Sequence, residues 1–316
     1  MTLSTLSKRW LTSGLGNAAA ATELDNLLGG GFGGTVFYVS ADSGVGSNGA
    51  SGLSWQEPFA TLTYALTKVT ANKGDIIVLM PGYAETTTAL AVNVAATRII
   101  GIGVGANRPT LTATTAATDL MNVTAASVYI ENVRFVGAAS GCTALLDVAE
   151  ADFVGVGLSF EHGAAPLSAV TVPGAIARGT LVDCVWRGTA AGPDYSIYFE
   201  NGATTGSING WQIIRPRAYY STSSGLDLAF IRADRKIKDL VIDNPIVIGF
   251  DTLAVDINSS SAAVGDGVVS DGTFIASTAL TSIEDAFDVG GMMFKQCFVG
   301  DAVTGRPGPV PLATVS

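Results

Sequence analysis

The ten residues VYIENVRFVG, from Val128 to Gly137, contain the pattern that decides the fold. An aliphatic residue is followed by Asn132, then by a large apolar residue, Phe135, and a glycine. Similar stretches return as LVDCVWRG (181–188), VVSDGTFIA (268–276) and MFKQCFVG (293–300). The copies share apolar and turn-forming residues and no reactive group, so the pattern indicates a repeated structural unit.

Aligned on Phe135, the repeat has one large apolar position per copy and usually a turn former three residues earlier. The apolar positions are Phe135, Phe160, Trp186, Ile213, Ile246, Phe274 and Phe298, with an earlier copy ending at Val104. The turn formers are Asn132, Gly157, Asp183, Gly210, Asp243 and Asp271. The copies lie 24 to 33 residues apart. Between them comes a second apolar segment: LLDV (145–148), AVTV (169–172), SIYF (196–199), LAFI (228–231), AVDI (254–257) and AFDV (286–289).

This repeat length suits one coil of a β-solenoid. A coil so short buries its apolar residues only by stacking on its neighbours. Asn, Asp and Gly recur because a tight corner needs the left-handed backbone conformation that these residues tolerate. The sequence therefore predicts an all-β fold, a single-stranded parallel β-helix of about eight coils over residues 35–303.

The composition agrees with a turn-rich β protein and narrows the function. Charged residues are only 14% of the chain, where about 25% is usual, and 38 of the 316 residues are Gly. The net charge of −10 argues against nucleic-acid binding, which needs clustered Lys and Arg. One His and three scattered cysteines argue against a zinc site. No apolar run is long enough for a membrane span, and no cofactor is expected.

The two ends of the chain lie outside the repeats. Phe59, Leu62, Leu66 and Val69 recur at helical spacing after Pro58, which predicts a helix at about 58–72 capping the first coil. Residues 1–34 form a predicted N-terminal arm that contacts an assembly partner. Its candidate contact residues are Lys8, Arg9, Trp10, Leu24, Leu27 and Leu28. Residues 304–316, with three prolines, are predicted to be an extended tail.

Residues 37–86 carry a Tyr-Val strand, a Gly/Asn/Ser loop, a Trp-x-x-Pro-Phe-Ala-Thr helix start, then Gly-Asp and Pro-Gly-x-Tyr. With these features the segment resembles the opening part of the pectate-lyase-like right-handed parallel β-helix superfamily. The repeats from about 98 to 300 fit the same fold, so the resemblance covers about four fifths of the chain. It implies the fold and the right-handed sense of the coil, but not an activity.

The N-terminal segment also resembles the short leaders of bacteriophage virion proteins. Together with the absence of a catalytic constellation in the sequence, that resemblance implies a non-enzymatic structural protein, made in the host cytoplasm, that decorates and cements the outer surface of a phage head. Its partners would be the major capsid protein, or other virion proteins, and further copies of itself in a homotrimer. The alternative is a small tailspike or fibre that binds, or binds and cleaves, a surface polysaccharide.

Several groups of residues are candidates for a catalytic, metal-binding or interaction site. Asp243 and Asp271 are a same-position pair that could serve glycoside hydrolysis, or simply a ladder of turn residues. Asp147, Glu150 and Asp152 form an acidic run that could bind Ca²⁺, or a solvated loop. His162 is expected on the surface, and Cys142, Cys184 and Cys297 as buried thiols. The preferred interaction surface combines arginines and tyrosines: Tyr195, Tyr198, Arg215, Arg217, Tyr219, Tyr220, Arg232 and Arg235.

Overall fold

The structure is a computed structural model. It describes residues 34–42, 44–114, 118–138, 142–162, 168–188, 195–200, 207–220, 229–250, 253–257, 266–277, 287–289, 291–301 and 308–309. The predicted N-terminal arm, apart from its last residue, lies outside these ranges, as do its six candidate contact residues and most of the predicted tail. Within the described ranges, no helix is long and apolar enough to cross a membrane.

The fold is an all-β parallel solenoid, as predicted. Strands that follow one another in the chain fall on three different faces, and each strand pairs in parallel with its equivalents one coil before and one coil after. The one antiparallel pair among the described strands joins β29 (Phe298–Asp301) to β30 (Gly308–Pro309).

The first sheet has ten described strands: β1 (Val36–Val39), β2 (Ile76–Leu79), β5 (Arg98–Gly101), β8 (Tyr129–Glu131), β11 (Phe153–Val156), β14 (Gly179–Val182), β18 (Gln212–Ile214), β22 (Leu240–Asp243), β25 (Gly267–Ser270) and β28 (Met292–Lys295). The second sheet comprises β3 (Ala84–Thr87), β6 (Thr110–Ala113), β9 (Arg134–Gly137), β12 (Ser159–His162), β15 (Val185–Gly188), β19 (Arg217–Tyr220), β23 (Ile246–Phe250), β26 (Thr273–Ala276), β29 and β30.

The third sheet has eight described strands: β4 (Leu90–Val92), β7 (Met121–Val123), β10 (Ala144–Val148), β13 (Ser168–Pro173), β16 (Tyr195–Glu200), β20 (Ala229–Ala233), β24 (Leu253–Ile257) and β27 (Phe287–Val289). A two-stranded ladder joins β17 (Ile208–Asn209) to β21 (Ile237–Lys238). Short helices occur at α1 (Leu62–Leu66) and as a 3₁₀ turn at Gly105–Asn107.

The corner between the first and second sheets is built as the repeat predicts. Asn132, Asp183 and Asp271 have φ of 57°, 55° and 54°, in the left-handed region. The amide of each donates to a carbonyl in the next coil, for example Asn132 N to Val156 O at 2.9 Å. In the remaining coils the corner residues are Gly157, Arg215, Asn244 and Gln296. The predictions of Gly210 and Asp243 for this corner were therefore wrong.

The inward row of the second sheet corrects the repeat alignment at four copies. Strand register aligns Leu111, Phe135, Phe160, Trp186, Ala218, Val247, Phe274 and Val299. Ile213 belongs to the first sheet, and Ile246 is one residue out of register. Val104 and Phe298 are 60% and 52% exposed, which excludes both from the core.

The core holds the coils together by stacking like side chains from one coil to the next. Phe135, Phe160 and Trp186 are fully buried, and their ring centroids are spaced 5.3 Å and 5.3 Å apart in nearly parallel planes. Offset stacking of this kind adds to the free energy gained from burying the rings.

The predicted capping helix is not confirmed at its expected length. Helix α1 has only five residues, with the Thr61 hydroxyl accepting from Tyr64 N at its start. The Leu62 amide donates to Tyr83 Oη at 2.7 Å and to Glu85 Oε2 at 3.0 Å. After Leu66 the backbone tightens, with Thr67 N donating to Tyr64 O at 3.0 Å and Lys68 N to Ala65 O at 2.9 Å. The Thr70 amide then donates to the Asp75 carboxylate at 2.6 Å instead of to a helical carbonyl.

Candidate functional site

The predicted interaction surface is divided among several parts of the solenoid. Three of its residues, Tyr195, Tyr198 and Arg232, come together on the third sheet. Tyr220 and Arg235 are only 5% and 4% exposed, so they offer little surface.

The other three predicted surface residues lie elsewhere. The Arg215 guanidinium binds Asp183 at 2.7 Å at the corner between the first and second sheets. Arg217, on the second sheet, donates to the backbone oxygens of Asn244 and Pro216. Tyr219, on the same sheet, is 40% exposed and points to solvent.

A row of polar side chains runs along the outside of the third sheet, and we call it the polar row. Strand register aligns Asn122, Asp147, Thr171, Tyr198, Arg232 and Asp256. In each strand the neighbouring residues, such as Leu146 and Val148 beside Asp147, are buried in the core. Because side chains alternate between the two faces of a strand, the polar row points outward. Adjacent members are about 4.8 Å apart along the solenoid.

One end of the polar row is a hydrogen-bonded network with an aromatic platform. Arg232 Nε donates to Asp234 Oδ1 at 2.6 Å, and a second nitrogen of Arg232 binds Asp256 Oδ2. Tyr198 Oη donates to Asp234 Oδ2 at 2.9 Å. The rings of Tyr195 and Tyr198 stack with centroids 4.8 Å apart. Burial, followed by the hydrogen bond to Asp234, raises the pKa of Tyr198, so this phenol stays protonated as a donor.

The other end of the polar row holds a carboxyl group with an unusual proton affinity. Asp147 is 9% exposed and Asp256, at the opposite end of the row, is 4% exposed, so neighbouring side chains must move aside before a ligand can reach either carboxyl group. Burial, followed by the negative charges of Asp119 and Glu200, raises the pKa of Asp147 to about 7. Burial also raises the pKa of Asp119. A carboxyl group that titrates near neutrality can both accept and donate a proton under physiological conditions.

Three buried oxygens of the polar row lack a hydrogen-bond partner among the residues that the structure describes. They are Oδ1 of Asn122, Oδ1 of Asp147 and Oδ1 of Asp256. Unpartnered buried polar atoms are uncommon and costly, so they call for an explanation such as a bound water or ligand. Amide and ionised carboxylate oxygens are acceptors, so what would satisfy them is a set of donors such as hydroxyl groups.

The acidic residues weighed in the sequence are not assembled as pairs. Asp243 lies next to Ser270, whose hydroxyl donates to it at 2.8 Å, whereas Asp271 lies at the corner beyond. Asp152 is held by Arg178 at 2.6 Å at a different corner, away from the third-sheet strand that carries Asp147. Among the described residues, no group of three or more His, Cys, Asp or Glu could hold a metal ion.

The single histidine and the cysteines add nothing to the site. His162 ends β12 on the second sheet. Cys142, Cys184 and Cys297 are buried and unpaired, as predicted. Burial raises the pKa of Cys184 to about 12 and that of Cys142 to about 11, so neither is a ready nucleophile.

One feature of the sequence indicates the polar row, although it was not among the predicted sites. In the second apolar segments LLDV, AVTV, SIYF and AVDI, the third letter is always an outward residue: Asp147, Thr171, Tyr198 or Asp256. Asn122 and Asp234 had no such signal, because their contribution depends on which strands become neighbours.

No protein-family model matches the sequence, and no curated protein does. Solved structures do match the fold. A rhamnogalacturonan lyase is 13% identical over 88% of this chain and 79% of its own, with a TM-score of 0.51. The pectin methylesterase from Aspergillus niger is 11% identical over 86% of both chains, with a TM-score of 0.52.

These similarities show that the chain shares the parallel β-helix fold, and they correct one expectation. The conclusion that the protein is not an enzyme rested on finding no catalytic motif, and it was wrong to draw it. These two structures are enzymes named for polysaccharide substrates. At 11–13% identity the likeness concerns the fold alone, and neither structure bears on the predicted phage origin.

Proposed function

We propose that the polar row binds a polysaccharide along the third sheet. The observation that carries the proposal is that the three unpartnered buried oxygens, on Asn122, Asp147 and Asp256, are all acceptors on one outward row. Sugar hydroxyls are the donors that such oxygens need. The stacked rings of Tyr195 and Tyr198 offer an apolar platform beside them for the face of a sugar ring.

The shape of the site and the related folds support a polymer as the ligand. The polar row crosses six strands in a line, about 24 Å in all at the usual strand spacing, which suits an extended chain better than a small molecule. The rhamnogalacturonan lyase and the pectin methylesterase, which share the fold, are named for polymeric substrates. That support is an analogy between folds, and the residues of the row carry the rest of the argument.

A second function, chemistry on the bound glycan, is favoured by Asp147. A carboxyl group with a pKa of about 7 is matched to proton transfer at neutral pH. Its Oδ1 has no partner among the described residues, so a proton on the ligand would find a free acceptor there. In this role Asp147 would act as general acid or base, and Asn122 beside it would orient the reacting sugar.

The test is a glycan-binding screen followed by calorimetry on the best ligand. Tyr195→Ala should weaken binding about three- to tenfold by removing one ring of the platform. Tyr219→Ala is the matched control, since it removes an exposed tyrosine from the second sheet and should change nothing. Asp147→Asn should abolish any turnover while leaving the fold intact. Failure of the wild type to bind any glycan, or an equal loss in the control, would refute the proposal.

The expectations based on the phage-like leader stay proposals. They comprise a place on the outside of a phage head, a capsid partner and a homotrimer. The glycan surface is compatible with a virion location, because a particle surface can also carry the contact to a host polysaccharide. The copy number of the chain in purified particles, measured by mass spectrometry, tests this location.

A further inference from the structure

Three arginines gather on the outside of the second sheet, in a chain whose net charge is −10. Arg134 lies in β9 and Arg187 in β15, two strands further on, while Arg108 lies two residues before β6, the strand that precedes β9 in the sheet. Two strand spacings are about 10 Å. Burial lowers the pKa of Arg108, and the charges of Arg134 and Arg187 lower it further, so the three guanidinium groups interact electrostatically.

Two of these arginines are held in place through one nitrogen each. Arg108 Nε donates to Asn132 Oδ1 at 2.9 Å. The amide nitrogen of Asn132 donates in turn to the carbonyls of Gly101 and Gly103, each at 2.9 Å, which fixes this support. Arg134 Nε donates to Thr110 Oγ1 at 3.0 Å. Both side chains are therefore positioned, and apart from the ion pair of Arg134 Nη1 with Glu161 their terminal nitrogens make no hydrogen bond or ion pair within the described ranges.

Nearby acidic groups leave most of this positive charge uncompensated. Glu161 is 3.7 Å from Arg134, and it is the one carboxylate recorded in an ion pair with the cluster among the described residues. Arg187 is exposed and has no ion pair or hydrogen bond within the described part of the chain. The cluster thus carries about two positive charges in excess, on a protein that is otherwise acidic.

We propose that Arg108, Arg134 and Arg187 form a second binding site, which takes the carboxylates of an acidic polysaccharide. Guanidinium groups bind carboxylates in a planar, charge-assisted geometry. The cations are spread along the solenoid, which suits a polymer with regularly spaced single charges. Nucleic acid is a poor match, because the surrounding acidic protein would repel its dense phosphates. The site is on a different sheet from the polar row and does not rest on the function proposed there.

The experiment measures binding of glucuronate-containing hyaluronan oligosaccharides by calorimetry at low and at physiological salt. The comparison ligand is the same oligosaccharide with its carboxyl groups reduced to alcohols. Wild type should bind the acidic form, lose affinity as salt rises and bind the reduced form at least tenfold more weakly.

Arg187→Gln should weaken binding of the acidic form about tenfold, and the partly buried Arg108→Gln at least as much. The matched control is Arg178→Gln, which removes the same charge from an exposed arginine paired with Asp152 and should change affinity less than twofold. Circular dichroism shows whether each variant is folded. Arg187 supports no other described side chain, so its variant keeps the test valid even if Arg108→Gln misfolds.

Four results would overturn the proposal. They are no binding by wild type at low salt, equal binding of the reduced oligosaccharide, equal losses in Arg187→Gln and Arg178→Gln, and inorganic phosphate binding as tightly as the oligosaccharide. A fifth result would also overturn it: if Tyr195→Ala abolishes binding of the acidic form and Arg187→Gln does not, the ligand belongs to the polar row instead. That outcome would reject this site and support the function proposed for the third sheet.

Discussion

The proton on Asp147 should link the stability of the solenoid to pH. Its carboxyl group has a pKa of 3.8 when exposed and about 7 in the folded protein. Above pH 3.8 the unfolded chain loses this proton while the folded protein keeps it, so unfolding becomes easier as pH rises. The stabilisation of the folded protein by this proton is therefore complete below about pH 4 and is lost by about pH 7. At 1.36 kcal/mol per pH unit it totals about 4 kcal/mol.

The assay compares urea unfolding of the wild type and of Asp147→Asn at pH 5, 6, 7 and 8. Asn stays neutral, so the free energy of unfolding of the variant should gain about 3 kcal/mol on that of the wild type between pH 5 and pH 8. Titrating groups that do not interact with Asp147 cancel in this difference. Asp152→Asn is the control, since Arg178 lowers the pKa of that exposed carboxyl and no such gain is expected. A difference that does not vary with pH, or a ¹³C titration of Asp147 centred near pH 4, would refute the reasoning.

Two further predictions concern the core. Trp186→Ala should lower the free energy of unfolding by about 3–5 kcal/mol, because it opens a cavity in the stack between Phe160 and Phe230. Urea unfolding measures this loss, and Trp186→Phe, which keeps an aromatic ring, is the control. Equal losses in both variants would contradict the prediction. Cys184, whose pKa burial raises to about 12, should react with a thiol reagent only after denaturation, and rapid labelling of the native protein at pH 8 would contradict its burial.

The corners of the solenoid could be predicted from sequence wherever the left-handed backbone conformation is occupied by a residue type that favours it. Asn132, Asp183 and Asp271 were found because the left-handed conformation favours Asn, Asp and Gly. Residue type does not reveal the corner where Arg215 and Gln296 occupy the same conformation, with φ of 51° and 54°. These two residues are not turn formers by type, so only the neighbouring coils specify their backbone.

A second ladder of left-handed residues explains the largest error. The corner that leads into the first sheet is also tight, and Asp152, Arg178 and Gly210 occupy it with φ of 61°, 52° and 69°. Because Gly210 has the residue type expected at the corner between the first and second sheets, the repeat alignment placed Ile213 in the second sheet instead of the first. Both corners require one residue in the left-handed conformation, so residue type alone cannot tell the two corners apart. Strand register separates them, because it depends on pairing between coils.

The candidate sites were less predictable than the fold, for a related reason. Tyr195, Tyr198 and Arg232 were selected as aromatic and charged residues close in sequence, and the coils do bring them together. Asp147 was interpreted as part of an acidic run with Asp152, although Asp147 lies in a strand of the third sheet and Asp152 lies at the corner that leads into the first sheet. The arginine cluster joins residues from Arg108 to Arg187, so no short window of sequence contains it.

The way a solenoid divides its residues explains why its fold does not reveal its function. Inward positions such as Phe135 and Phe160 are fixed by stacking, and corner positions by backbone conformation. The outward positions of each strand meet neither demand, so they can change with little effect on folding. Polysaccharide enzymes can therefore share this backbone with only 11–13% identity. What this protein binds must be sought in its outward rows, where Asp147 and the three arginines are the groups that the fold itself does not require.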